Sequence, residues 1–446
     1  MLHGLKSTRV VTPDGVRAAT VVMRDGCIDA VVEHASGLPD GDVVDVGALA
    51  VSPGLVDCHV HINEPGRSEW EGFATATRAA ASGGVTTLVD MPLNSLPVTT
   101  TASALAEKLA ASEQQRYVDV GFWGGVVPHN TGELRGLAEG GVLGCKTFLV
   151  HSGIDEFPNT TASDLRRSMP LLRELGLPLL AHAELDLGAP PHAGDPRSYG
   201  RYLASRPRAW EDEAIRLLVE LCRETRCPVH IVHLSSSSSI ETLRRAKHEG
   251  LPISAETCPH YLCFEAESIA DGATEYKCAP PIREHDNREA LWAALLEGVI
   301  DFVITDHSPC TPALKRRDLG SFDEAWGGIA SLSLGLPAIW SEARARGAGL
   351  LELARWMSHA PAAFAGLRGK KGSIARGHDA DLVVWDPEAA FEVRPELLFF
   401  RHKLSPYLGR TLSGKVRRTL LRGSLVFDGG SHPAGAIGQT LLHRTG

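Results

Sequence analysis

The sequence predicts an α/β protein: a (β/α)8 barrel of the TIM type beside a small β-sandwich built from both ends of the chain. Three observations predict it. From Val51 onward, short apolar runs alternate with amphipathic stretches of helical period, the pattern of a parallel sheet closed into a barrel. Before Val51 and after about Gly366 the texture is short strands and turns, and each of those clusters is too small to bury a core alone. Residues able to bind metals recur where the apolar runs end, which is where a barrel collects its functional side chains.

The elements follow in order. Val21-Val22-Met23, a turn at Arg24-Asp25-Gly26 and the run 27–32 read as a hairpin in an N-terminal segment, 1–50. The catalytic barrel is expected over 51–366, with strands at 51–56, 85–91, 118–126, 142–149, 177–182, 228–234, 252–256 and 300–305. Helices are expected between them at 102–112, 162–175, 211–224, 238–249 and 288–296. The serine run 235–239 follows a strand and reads as a loop. The segment 367–446 returns to strands at 372–374, 381–385, 416–421 and 425–427, which should meet the N-terminal strands. An open doubly wound sheet is the rival architecture, but a barrel brings ligands from many strands around one axis more directly.

Composition narrows the function. The chain has 446 residues, 43% hydrophobic and 22% charged, with a net charge of -9. Those are the proportions of an ordinary globular enzyme, without the basic footprint that nucleic acid or anionic membrane would require. No apolar run spans a bilayer, and residues 1–9 carry no signal-peptide core. Nine cysteines without paired C-x-x-C spacing argue against a disulfide framework and for a reducing cytoplasm.

The run Asp57-Cys58-His59-Val60-His61 carries the most information. Alternation along a strand puts His59 and His61 on one face, a ready pair of metal ligands. The fourth strand ends near Lys146, the fifth in His182, the sixth in His233 and the eighth in Asp306. His230 is three residues from His233, so alternation sends at most one of them inward; His233, at the strand end, is the better ligand, and His230 is expected on the helix-facing side. Asp306 and His307 face opposite ways, which gives Asp306 to the site; a substrate contact by His307 is the lesser alternative. His129, His192, His285, His359 and His402 read as ordinary surface or structural residues. An ammonium at Lys146 would be repelled by two divalent cations. Its neutral amine, carboxylated by carbon dioxide, would instead be an anionic bridge between them; a lysine snorkelling to the rim is the alternative.

These residues resemble the amidohydrolase superfamily, in its cyclic-amidohydrolase branch of dihydroorotases, dihydropyrimidinases (hydantoinases) and allantoinases. The resemblance runs from about Val51 to Arg422. Within that branch, His59-Val60-His61-Ile62-Asn63-Glu64-Pro65-Gly66-Arg67, Asp90-Met91-Pro92-Leu93-Asn94-Ser95 and His151-Ser152-Gly153-Ile154-Asp155 are similar to allantoinases. So are Glu256-Thr257-Cys258-Pro259-His260-Tyr261, Lys277-Cys278-Ala279-Pro280-Pro281, Thr305-Asp306-His307-Ser308-Pro309-Cys310 and Trp326-Gly327-Gly328-Ile329.

The resemblance implies His59, His61 and Asp306 on one metal, His182 and His233 on the other, and carboxylated Lys146 bridging them. It implies ring opening of allantoin to allantoate in purine catabolism, Asp306 as the proton carrier and a homotetramer. Dihydroorotases typically carry Arg where Asn63 stands, so an uncharged residue there suits a neutral substrate. Hydantoinases typically place an oxyanion-supporting Tyr where Val150-His151-Ser152 stands, and many allantoinase-like chains have Cys at His151. Zinc leads as the metal, with cobalt, iron or manganese also compatible with such ligands. Asn94, Ser152, Ala279 and Gly328 are candidate substrate contacts, with turn or capping roles as the alternative for Asn94 and Ser152. A broader hydantoinase is the nearest rival function. A non-catalytic dihydropyrimidinase-like assembly protein is the more distant one, and it predicts missing ligands where none is missing.

Overall fold

The computed structural model describes residues 3–34, 43–188 and 194–443; His192 lies outside them. Eight parallel strands form the barrel: Leu55–Val60, Val85–Asp90, Asp119–Phe122 continued by Gly124–Gly125, Cys145–Phe148, Leu179–His182, Val229–Ile231, Ile253–Thr257 and Phe302–Val303. Each pairs with the next in chain order. A parallel bridge between Val60 and His307, with the His61 N–H donating to the His307 carbonyl at 2.9 Å, brings the last strand back to the first. These strands are apolar and almost wholly buried, as expected of a sheet covered on both faces. Helices Ala102–Ser112, Ala162–Glu174, Arg208–Thr225, Ile240–His248 and His285–Leu296 lie within a few residues of the predicted spans. The second of them starts in a capping box between Thr161 and Asp164, which satisfies two otherwise orphaned N–H groups.

The strand predicted over 51–56 is in fact two. Ala50–Pro53 joins the terminal sheet, and Leu55–Val60 enters the barrel. Gly54 lies between them where the chain crosses the second barrel strand; a Cβ there would sit 2.3 Å from Thr86 Oγ1, so only glycine fits. An apolar, β-branched run reads as continuous in sequence because the break is set by this crossing.

Both termini build one continuous sheet of eight strands: Gly4–Thr12, Gly15–Arg24, Cys27–Glu33, Val43–Asp45, Ala50–Pro53, Leu382–Glu392, Thr411–Leu421 and Ser424–Asp428. Ala50–Pro53 is the seam, parallel to Gly4–Thr12 on one side and antiparallel to Leu382–Glu392 on the other. Leu5, Val10, Val21, Ile28, Val51, Leu382 and Leu420 give this domain an apolar core separate from that of the barrel.

A buried charge cluster fastens the two cores together. Lys371 Nζ lies 2.6 Å from Asp119, 2.8 Å from Asp379 and 2.7 Å from Asp381, and Arg422 reaches Asp119 at 2.6 Å. Asp119 belongs to the third barrel strand, and Arg422 directly follows strand Thr411–Leu421. The three carboxylates are close enough together to hold a cation, and the lysine ammonium already supplies one. Thr440–Leu441 extends this connection by pairing parallel with Asp119–Phe122. The cysteines among the described residues are all free, and all but Cys27 are buried. Among the described residues no helix is long and apolar enough to cross a membrane.

Candidate metal centre and substrate pocket

The predicted ligands converge at the C-terminal mouth of the barrel, in a cavity of about 510 Å³ lined by His59, His61, Lys146, His182, His233 and Asp306. His59 Nε2 lies 3.2 Å and His61 Nε2 3.5 Å from Asp306 Oδ1. His182 Nδ1 faces His233 Nε2 at 3.0 Å. Ligand atoms of His59, His233 and Asp306 all lie within 4.8 Å of one another. Two turns of backbone make this convergence possible: His233 and Asp306 adopt left-handed φ values of 40 and 44 degrees, a conformation that costs non-glycine residues energy and clusters at functional sites.

Burial holds the His59, His182 and His233 imidazoles below the usual histidine range, so they are neutral and able to ligate. Burial also pushes Lys146 down to about 7, against the pull of Glu256 and Asp306. Among the described residues its Nζ has no hydrogen-bond partner, and neither does His233 Nδ1. A partnerless amine among imidazoles, beside an ionised Asp306 held well below the carboxylate range despite its burial, is unfavourable as it stands. Two cations and a carbamate at Lys146 would satisfy the amine, the facing imidazole nitrogens and the Asp306 carboxylate, so the residues present fit a binuclear metal site.

Carboxylates behind the imidazoles fix their direction. Glu256 Oε1 lies 2.5 Å from His59 Nδ1, and Glu184 Oε2 lies 2.7 Å from His182 Nε2. Glu184 is in turn clamped by Arg206, 3.0 Å from Nε and 2.5 Å from Nη2, which holds it down at about 2 although burial pushes the other way. Carboxylates behind metal-ligating histidines set ring orientation and raise basicity.

An amidohydrolase family model matches residues 50–426. The chain belongs to the amidohydrolase family. It is 49% identical over 438 residues to the allantoinase of Streptomyces avermitilis, covering 97% of each chain. It is 46% identical to the allantoinase of Arabidopsis thaliana, covering 99% of this chain and 91% of the relative. Among solved structures it superposes on the L-hydantoinase (dihydropyrimidinase) from Arthrobacter aurescens with a TM-score of 0.92 at 28% identity, covering 99% of this chain and 100% of that one.

In this amidohydrolase, Asn94, Ser152, Ala279 and Gly328 all line the cavity. Asn94 Nδ2 lies 3.5 Å from His61 Nδ1. The Ser152 hydroxyl donates to the Phe157 carbonyl at 2.6 Å, so it is tied into its own turn. Gly328, at φ 112 degrees, passes so close to Ser308 that a Cβ would lie 2.3 Å from its carbonyl oxygen. His151 is at the rim, its Nδ1 accepting from the Gly153 N–H at 3.1 Å and its Nε2 3.3 Å from Asp155.

Two readings are corrected. His230 lies inside the barrel, 3.0 Å from Glu256 and 2.7 Å from Ser254; the strand stops at Ile231 and His233 is left-handed, so alternation no longer relates the two. His307 takes no part in the pocket: it is fully buried, 3.2 Å from Glu71, and accepts the Ser331 N–H. Asn63 also lies outside the cavity lining, donating to the Pro309 carbonyl at 3.2 Å. Sequence reasoning missed Glu184, Arg206, Tyr202 and Trp210, and gave Lys277 and Trp326 no role although both stand in the quoted motifs; for Glu184 the signal was its spacing two residues after His182.

Proposed function

We propose that this protein opens the hydantoin ring of allantoin by hydrolysis to allantoate, using two divalent metal ions. His59, His61 and Asp306 would hold one ion, His182 and His233 the other, and Lys146, carboxylated, would bridge them. Carboxylation joins the lysine nitrogen to the carbon of carbon dioxide and releases one proton, which requires a neutral amine; burial makes Lys146 such an amine near neutral pH. The observation that carries the reading is that partnerless Nζ, fully buried in a ring of imidazoles at the barrel mouth. Near half-identity to allantoinases along the whole chain supports the choice of substrate.

Bound ions would acidify a water and polarise the ring carbonyl. The protein does the rest. Asp306 keeps Oδ1 toward His59, His61 and the Ser308 hydroxyl, and its other oxygen has no hydrogen bond among the described residues. That oxygen can take the proton from the attacking water and deliver it to the leaving ring nitrogen. The nitrogen lies between two carbonyls in a hydantoin, so it departs more readily than that of a simple amide. Trp326 lines the cavity, packed edge-on against Trp70 at 5.0 Å between centroids and close to Gly153, where a Cβ would lie 3.4 Å away, and offers a flat face to a planar ring. Zinc and a tetrameric assembly belong to the same proposal and rest on the resemblance to the cyclic amidohydrolases; a cytoplasmic site of action belongs to it too and is supported by the free cysteines.

The test is the ring-opening rate of metal-replete protein on allantoin, unsubstituted hydantoin and dihydroorotate. Strong preference for allantoin is expected. Comparable turnover of hydantoin would make the protein a broad cyclic amidase, and no turnover of any would refute the enzymatic reading.

A further inference from the structure

Lys315 is 5% exposed and makes no ion pair among the described residues. Its ammonium donates instead to three backbone carbonyls: that of Gly328, that of Trp326 at 3.0 Å and that of Lys277 at 3.5 Å. A charge withdrawn from water and satisfied by peptide oxygens alone is costly to maintain. What it achieves is local: it ties together the two segments, 277–279 and 326–328, whose backbones form one wall of the cavity. The Gly328 N–H completes the knot by donating to the Lys277 carbonyl at 2.8 Å.

The direction of those carbonyls fixes what the wall presents. Both peptides concerned, 277–278 and 326–327, are trans, and in a trans peptide the N–H points opposite to the carbonyl. With the Lys277 and Trp326 oxygens drawn back toward Lys315, the N–H groups of Cys278 and Gly327 point the other way. Both residues line the cavity, and neither N–H has a hydrogen-bond partner among the described residues.

We propose that Lys315 is a positioning residue for substrate, turning these two peptides so that the Cys278 and Gly327 N–H groups face the cavity as donors to the carbonyl oxygens of a cyclic diamide. The inference rests on the functional reading above. It assigns Lys315 no contact with substrate or metal.

The experiment compares wild type, K315M and K315Q as metal-replete proteins on allantoin, reading KM, kcat, bound metal and melting temperature. K315M removes the donor and frees the carbonyls to rotate, so KM should rise at least about tenfold while kcat and bound metal change by less than about threefold. K315Q keeps N–H donors on a shorter arm and should recover part of that loss. A folded, metallated K315M with KM within about twofold of wild type overturns the proposal, as does a parallel loss of kcat and metal, which would mean a purely structural role. Should K315M fail to fold, K315Q carries the same readout. Absence of turnover in wild type would refute the functional reading instead, so the two failures are distinguishable.

Discussion

Glu256 holds His59 from behind: its Oε1 lies 2.5 Å from His59 Nδ1, while His59 Nε2 faces Asp306 across the cavity. The same carboxylate reaches His230 through its other oxygen at 3.0 Å. The ring therefore has one nitrogen committed to orientation and one left for a ligand. Replacing Glu256 by Gln should weaken metal binding by roughly 10–100-fold with the fold intact. Competition against a chelator of known affinity measures this; unchanged affinity would remove Glu256 from the role.

Lys146→Ala should lose bound metal and activity together, because it removes the partnerless amine that lies among the imidazoles of the cavity. Short carboxylic acids added to the mutant should restore part of both by occupying the vacated space. Elemental analysis alongside turnover decides it, and a fully metallated, active mutant would sink the carbamate.

Asp306→Asn keeps the shape of the side chain and removes its capacity to take up a proton. Turnover should fall by roughly 10²–10⁴-fold, measured at matched metal content because Asp306 is also a proposed ligand. Near-normal turnover would assign proton transfer elsewhere.

Lys371→Met leaves Asp119, Asp379 and Asp381 buried together beside Arg422. The expected loss of stability is about 3–5 kcal/mol, read by denaturant titration. The pH dependence follows in sign. Burial opposes the charge on Lys371, but Asp381, Asp119 and Asp379 together raise its pKa above the ordinary 10.5, so its contribution is complete below that pH. It is lost as pH rises through the higher folded value. Wild type should therefore lose stability above about pH 10.5 more steeply than K371M. Equal slopes would refute the assignment.

Much of the site was legible because a barrel strand ends where its functional side chain begins. His59, His61, Lys146, His182, His233 and Asp306 could each be read from an apolar run followed by a polar ligand. Period-two reasoning failed at His230 because it holds only while the backbone stays extended, and the chain leaves that conformation before His233. Asn63 takes a left-handed backbone at φ 66 degrees and donates to the Pro309 carbonyl, a contact across 246 positions that its motif does not announce. Glu256 was invisible as a partner, and so was the Arg206 clamp on Glu184, because these contacts join separate strands and loops. The break at Gly54 depends likewise on Thr86, a residue 32 positions away in sequence.

The pairing of Thr440–Leu441 with the third barrel strand has a consequence for the order of events during synthesis. The Val120 N–H donates to the Gln439 carbonyl and the His443 N–H to the Gly141 carbonyl, so backbone near residues 120 and 141 is completed by chain more than 300 residues downstream. At ~5–20 residues per second, that partner leaves the ribosome at least about 15 seconds after the strand it covers. Until then the lower edge of the third strand is an open template for any other extended segment. A nascent chain stalled or truncated before residue 439 should therefore bind chaperones or aggregate through this edge, even though every residue at the barrel mouth has already been made.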